Sequence, residues 1–349
     1  MTWKDPLTLD ERIKLDLNTL YDNGLIELIE KFKKCRIEAA DELSKKLFGK
    51  KGELSAHGLP GYFTGDRNAK TVMVMLNPGQ DVVGKDNPVT TIETLSKLGI
   101  TTNSVEEFIE SYRKGNTAFG KHDRSNREEK DIYPDSFDLK QAAFFKEWPS
   151  DPKNPNFCGI RIHKDFPNCI NWDKKNSDEN KLQRKQEIEL DVVEEVLMKK
   201  LQLELVPYAS RDFKQIPQKN LENLFPFVET LFDEIFSNVS ENDSRYVIFC
   251  ADVFDKLFKK FVKKHPGRVE YEKDNPQKSS YEIFKQEEGK TPKPANCTPI
   301  RIYQYDNKKG YSLKAIIAHT FPIQSLSTAY NRMVEYGKFC WEKYSESQL

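Results

Sequence analysis

The sequence predicts an α/β fold: a three-layer α/β/α sandwich around a mainly parallel central sheet, with an N-terminal helical extension. Three observations predict it. Thr71-Val72-Met73-Val74-Met75-Leu76 is an unbroken apolar run, the pattern of a strand buried on both faces of a parallel sheet. Two further short strand-like runs, Leu201–Val206 and Arg245–Cys250, are followed by segments with apolar residues at helical spacing, about Leu221–Phe236 and Ala251–Phe261. Lastly, Ile300–Tyr305 and Leu313–Ala318 flank Asp306-Asn307-Lys308-Lys309-Gly310 as the arms of a hairpin.

The remaining elements follow in order. From Leu7 to about Lys50 apolar residues recur at helical intervals (Leu17, Leu20, Leu25, Leu28, Ile29, Phe32), with Asn23-Gly24 as a turn between two helices. This defines an N-terminal helical extension over residues 1–57, ahead of an α/β domain over 58–349. A long insertion at about 81–200 is polar. It holds expected helices at Ile92–Tyr112 and Ile188–Leu201, and a loop-like stretch rich in Asp, Lys, Asn and Pro at about Ser150–Asn180. A last helix is expected from Ser325 to about Tyr344.

Composition narrows the function classes. The 349 residues, 37% of them hydrophobic, suffice for a sizeable core. The 55 basic side chains are balanced by 55 acidic ones, so no global field draws the chain to nucleic acid or anionic lipid, and any polyanion must be held locally. The segment Met1-Thr2-Trp3-Lys4-Asp5-Pro6 lacks a signal-peptide pattern and no apolar run approaches a membrane span, so a cytoplasmic protein without membrane partners is expected. The six cysteines (Cys35, Cys158, Cys169, Cys250, Cys297, Cys340) contain no C-x-x-C pair, and no two of the five histidines have helix-face metal spacing. Ordinary reduced thiols, no metal and no cofactor are expected; nothing in the sequence sets an oligomeric state, and a monomer is favoured.

Chemistry gathers at strand ends. Leu76-Asn77-Pro78-Gly79, Leu205-Val206-Pro207-Tyr208 and Ala318-His319-Thr320-Phe321-Pro322 each follow an expected strand, and in a parallel sheet such tips converge on one edge. Alone, Asn-Pro-Gly is an ordinary turn and a histidine after a strand is an ordinary turn residue. In this combination and order they resemble the uracil-DNA glycosylase superfamily, especially its mismatch-specific and single-strand-selective branches. In that superfamily Asn-Pro-Gly follows the first apolar strand, and a late strand runs into a His-Pro-Ser-Pro-Leu-Ser motif; here the late segment is His319-Thr320-Phe321-Pro322-Ile323-Gln324-Ser325-Leu326-Ser327. The similarity covers about half the chain, mostly Gly61–Gln80 and Leu201–Tyr330.

The resemblance implies a uracil-DNA glycosylase-like domain that flips a base out of DNA, single-stranded or modified DNA included, and cleaves its N-glycosidic bond by water attack. Asn77 and His319 are then the catalytic pair. The Asn77 amide orients a water, and His319 donates to the departing base as negative charge develops there. Pro78 and Gly79 let the backbone approach the base. Tyr62, Phe63, Pro207 and Tyr208 are expected beside the substrate; Phe144 and Phe145 are further stacking candidates, for which core packing is favoured. Arg211, Phe321, Ser325 and Ser327 are expected to touch DNA.

Two departures matter. Many members of the superfamily have Asn after the second strand, where this chain has Glu204, whose carboxylate suits an exocyclic amine and so a cytosine-like or modified base. The same residue is also compatible with a solvated Glu on an edge strand. Ile323-Gln324 replaces the usual Ser-Pro pair, which weakens a DNA-wedging role for that loop. Lys256, Lys259, Lys260, Lys263, Lys264 and Arg268 suit phosphate contact or a solvated face equally, and Lys121, Arg124 and Arg127 form a second, weaker basic group. The competing classes are a catalytically inactive nucleotide- or nucleic-acid-binding protein that keeps the fold, and an unrelated flavodoxin-like hydrolase. The last lacks a G-x-S-x-G elbow, a phosphate loop and a Rossmann glycine fingerprint.

Overall fold

The computed structural model describes residues 40–54, 63–65, 67–76, 141, 144–145, 148, 200–208, 216–237, 239, 245–266, 269–271, 280–282, 297–306, 311–318 and 330–347. Among them are eight strands: β1 (Phe63–Gly65), β2 (Thr71–Met75), β3 (Lys200–Glu204), β4 (Tyr246–Phe249), β5 (Val269–Tyr271), β6 (Ser280–Glu282), β7 (Cys297–Asp306) and β8 (Ser312–Ala318). Three α-helices accompany them, α1 (Phe225–Phe236), α2 (Asp252–Lys264) and α3 (Tyr330–Glu346). A 3-10 helix at Gln218–Leu224 leads into α1. Residues 40–48 are also helical.

The sheet runs β1-β3-β2-β4-β8-β7-β5, with β6 paired to β7 off this path. Its four central strands, β3, β2, β4 and β8, are mutually parallel. Every pairing outside them is antiparallel. The expectation of a mainly parallel sheet is therefore corrected to a mixed one: a parallel centre with antiparallel margins. The expected hairpin β7/β8 accounts for part of this, with Ile300 paired to Ala318. Strands β1, β5 and β6 account for the rest, and at three residues each they are too short to display an apolar period.

Burial explains the centre. β2 reads Thr-Val-Met-Val-Met and β4 Tyr-Val-Ile-Phe, and the side chains of Thr71–Val74 and of all four β4 residues are buried, as a strand covered on both faces requires. One face carries Val72, Val74, Leu201, Leu203, Val247, Phe249, Ala315 and Ile317, packed with α1, α2 and the helical residues Ala40, Leu43 and Leu47. On α2 the buried Phe254, Leu257, Phe258 and Phe261 recur at helical spacing and meet Phe249 and Tyr305 on the sheet, the Phe249–Phe258 ring centroids lying 4.9 Å apart. The alternate residues face the other way. Tyr246 meets Trp148 at 5.9 Å and Trp341 of α3 at 5.2 Å. Phe144 and Phe145 are fully buried against Trp148, so both serve the core as favoured.

Helix α3 approaches this second layer closely. A Cβ on Gly337 would stand 1.9 Å from the backbone oxygen of Phe144, and the Trp148 indole N–H donates to Gly337 O at 3.0 Å. Only glycine fits there. At the other helix ends, Pro226 occupies the first turn of α1, where its missing N–H costs nothing. The proline also explains why the segment expected to be helical from Leu221 begins as 3-10 and becomes α only at Phe225. The expected helix to Leu201 overran its end: Lys200 and Leu201 already belong to β3. Residues 188–199, the expected helix at 92–112, the N-terminal helices before residue 40 and the Ser325–Ala329 start of the last helix lie outside the described residues. No described helix is long and apolar enough to cross a membrane.

Candidate functional site

The chain moves from β2 outward to β3 and then returns past β2 to β4. Successive connections thus leave β2 in opposite directions, and in open α/β sheets ligands bind at the carboxyl ends of strands where the order reverses in this way. Register fixes what lies at that edge. Val74, Phe249, Ile317 and Leu203 stand at one level across the four parallel strands. One step on, Glu204 pairs with Met75, and Cys250 donates its N–H to Val74 O at 2.8 Å. β3 continues beside β2 beyond the formal strand, through Leu205 N–H to Met75 O and Val206 N–H to Leu76 O, both 2.9 Å.

Asn77 directly follows Leu76 in sequence, and His319 directly follows Ala318. Both residues lie outside the described residues, as do Tyr62, Pro78, Gly79, Arg211, Phe321, Ser325 and Ser327. So do Lys121, Arg124, Arg127 and Arg268. The described strands that lead to Asn77 and His319, β2 and β8, flank β4 and are parallel to it, two strand spacings or roughly 10 Å apart. Glu204 sits one spacing from β2 on its other side and so three from β8, roughly 15 Å. Phe63 is the first residue of β1, paired with Leu203. Pro207 is buried, and Tyr208, 1% exposed, belongs to the hydrophobic core, where it fills space instead of offering an open ring face.

Glu204 is not a solvated residue on an edge strand. β3 is paired on both sides, to β1 and β2. Along the strand face that carries Glu204, the period of two brings Lys200, Gln202 and Glu204 into a row. Lys200 Nζ donates to Gln202 Oε1 at 3.0 Å, and Gln202 Nε2 donates to Glu204 Oε1 at 2.8 Å. Lys200 is 1% exposed. Glu204 Oε2 is shut off from solvent without a hydrogen-bond partner. Burial pushes the Glu204 carboxyl up to about 8, against the opposing pull of the Gln202 hydrogen bond and the Lys200 charge. Cys250, at the end of β4, lies within electrostatic reach of Lys200, Glu204 and Cys340, and burial raises its thiol well above the usual range. Cys250 and Cys340 are both free thiols. Lys200 and Gln202 were absent from the expected site, although the alternation Lys-Leu-Gln-Leu-Glu at 200–204 signals a polar strand face.

Four of the five lysines of α2 are engaged within the protein. Lys256 pairs with Asp252 at 2.9 Å, Lys259 with Asp255 at 2.7 Å, and Lys264 and Lys260 with Glu222 at 2.5 and 3.7 Å. The Lys264 hydrogen bond, helped by the lysine charges, holds the Glu222 carboxyl below its ordinary range. No group of three or more His, Cys, Asp or Glu among the described residues is arranged to hold a metal. In comparisons with protein-family models, curated proteins and solved structures, nothing matches the chain.

Proposed function

We propose that the chain hydrolyses N-glycosidic bonds, excising uracil or a modified pyrimidine from DNA in the manner of the uracil-DNA glycosylase superfamily that its motifs resemble. The observation that carries this reading is the parallel arrangement of β2, β4 and β8 at a strand-order reversal, with Leu76 and Ala318, the residues that directly precede Asn77 and His319 in sequence, at the ends of β2 and β8 on the same edge of the sheet. On this reading Asn77 orients the attacking water, the backbone at Pro78-Gly79 cradles the base, and His319 donates to it as the bond to the sugar breaks. An amide is a weak base, so the reaction it serves is largely dissociative and slow.

The test is base release from oligonucleotides that each carry one uracil or modified pyrimidine, read as strand scission after alkali. Wild-type protein should leave abasic sites, and Asn77→Ala and His319→Ala should each lower the rate at least a hundredfold with an unchanged thermal midpoint. Base release that survives both substitutions would remove the assignment.

A second reading is a catalytically inactive binding protein that keeps this fold. The internal pairing of four α2 lysines favours it, because lysines neutralised by Asp252, Asp255 and Glu222 contribute little to holding a phosphate backbone. Titration calorimetry separates the two: nucleotide binding without turnover fits the second reading alone.

A further inference from the structure

We draw no further inference here: the strongest candidate, the acidic first turn of α2 at Asp252 and Asp255 just beyond the end of β4, carries nothing, because Lys256 and Lys259 engage both carboxylates one turn on and nothing else among the described residues of that turn points to a ligand.

Discussion

Glu204 shows how a single residue couples the site to stability. Its carboxyl ionises at 4.5 as a reference and at about 8 when folded. Between those values the folded protein holds a proton that the unfolded chain has released, so stability declines as pH rises from about 4.5 to about 8 and is level on either side. At about 1.4 kcal/mol per pH unit the full decline has an upper limit on the order of 5 kcal/mol, and the partial exposure of the residue reduces it. Glu204→Gln should therefore match the wild type near pH 5 and exceed it by roughly 2–4 kcal/mol at pH 9, in urea denaturation followed by circular dichroism. Parallel pH profiles for the two proteins would show that Glu204 is ionised throughout. The alternation of polar residues at 200, 202 and 204 was legible in the sequence. Their place on an interior strand was not, because it depends on β1 pairing with β3 on the side away from β2, and β1 is too short to announce itself.

At the scale of elements, helix ends were less legible than helix faces. The apolar stripe of α2 was visible as a period, and its acidic start at Asp252 and Asp255 and basic end at Lys263 and Lys264 complement the helix dipole. Those same acids engage Lys256 and Lys259 one turn later, which is why a run that looked suited to phosphate is satisfied internally. The end of α1 depends on a distant partner. Arg245, 1% exposed and just ahead of β4, donates to Glu234 O and Ile235 O, both at 3.2 Å, and to Arg67 O. Arg67 in turn holds the Glu234 carboxylate, with Nε to Oε1 at 2.6 Å. A helix leaves its last carbonyls without partners, and here a buried guanidinium supplies them across the connection to the next strand. Arg245→Met keeps the bulk and removes the donors, so it should cost about 2–4 kcal/mol, seen as a lower urea midpoint with an unchanged slope. A loss below about 0.5 kcal/mol would mean that water takes over these carbonyls.

For the whole molecule, the parallel centre follows from a simple requirement: strands that are apolar on both faces need a cover on each. The sequence showed these strands because Thr71–Met75 and Tyr246–Phe249 are apolar throughout, and it concealed the antiparallel margins because three-residue strands have no pattern. One cover consists of α1, α2 and helical residues 40–48. On the other face α3 lays Tyr336, Cys340 and Tyr344 over the sheet, and the Phe144, Trp148 and Tyr246 rings meet Tyr336, Trp341 and Tyr344 there. A buried aromatic side chain contributes about 1.5–3 kcal/mol, so removing the helix takes away a large part of a net stability that is itself only about 5–15 kcal/mol. It also bares Tyr246, Ile248 and Ile316, which are buried in the complete chain. A chain ending at residue 329 should thus lose cooperative thermal unfolding, bind a hydrophobic dye, and keep much of its far-ultraviolet signal because the first layer still has its core. If calorimetry of that truncated chain instead gave a sharp transition at the wild-type midpoint, the second face of the sheet would have to be covered without α3, and the three-layer account of the fold would fail.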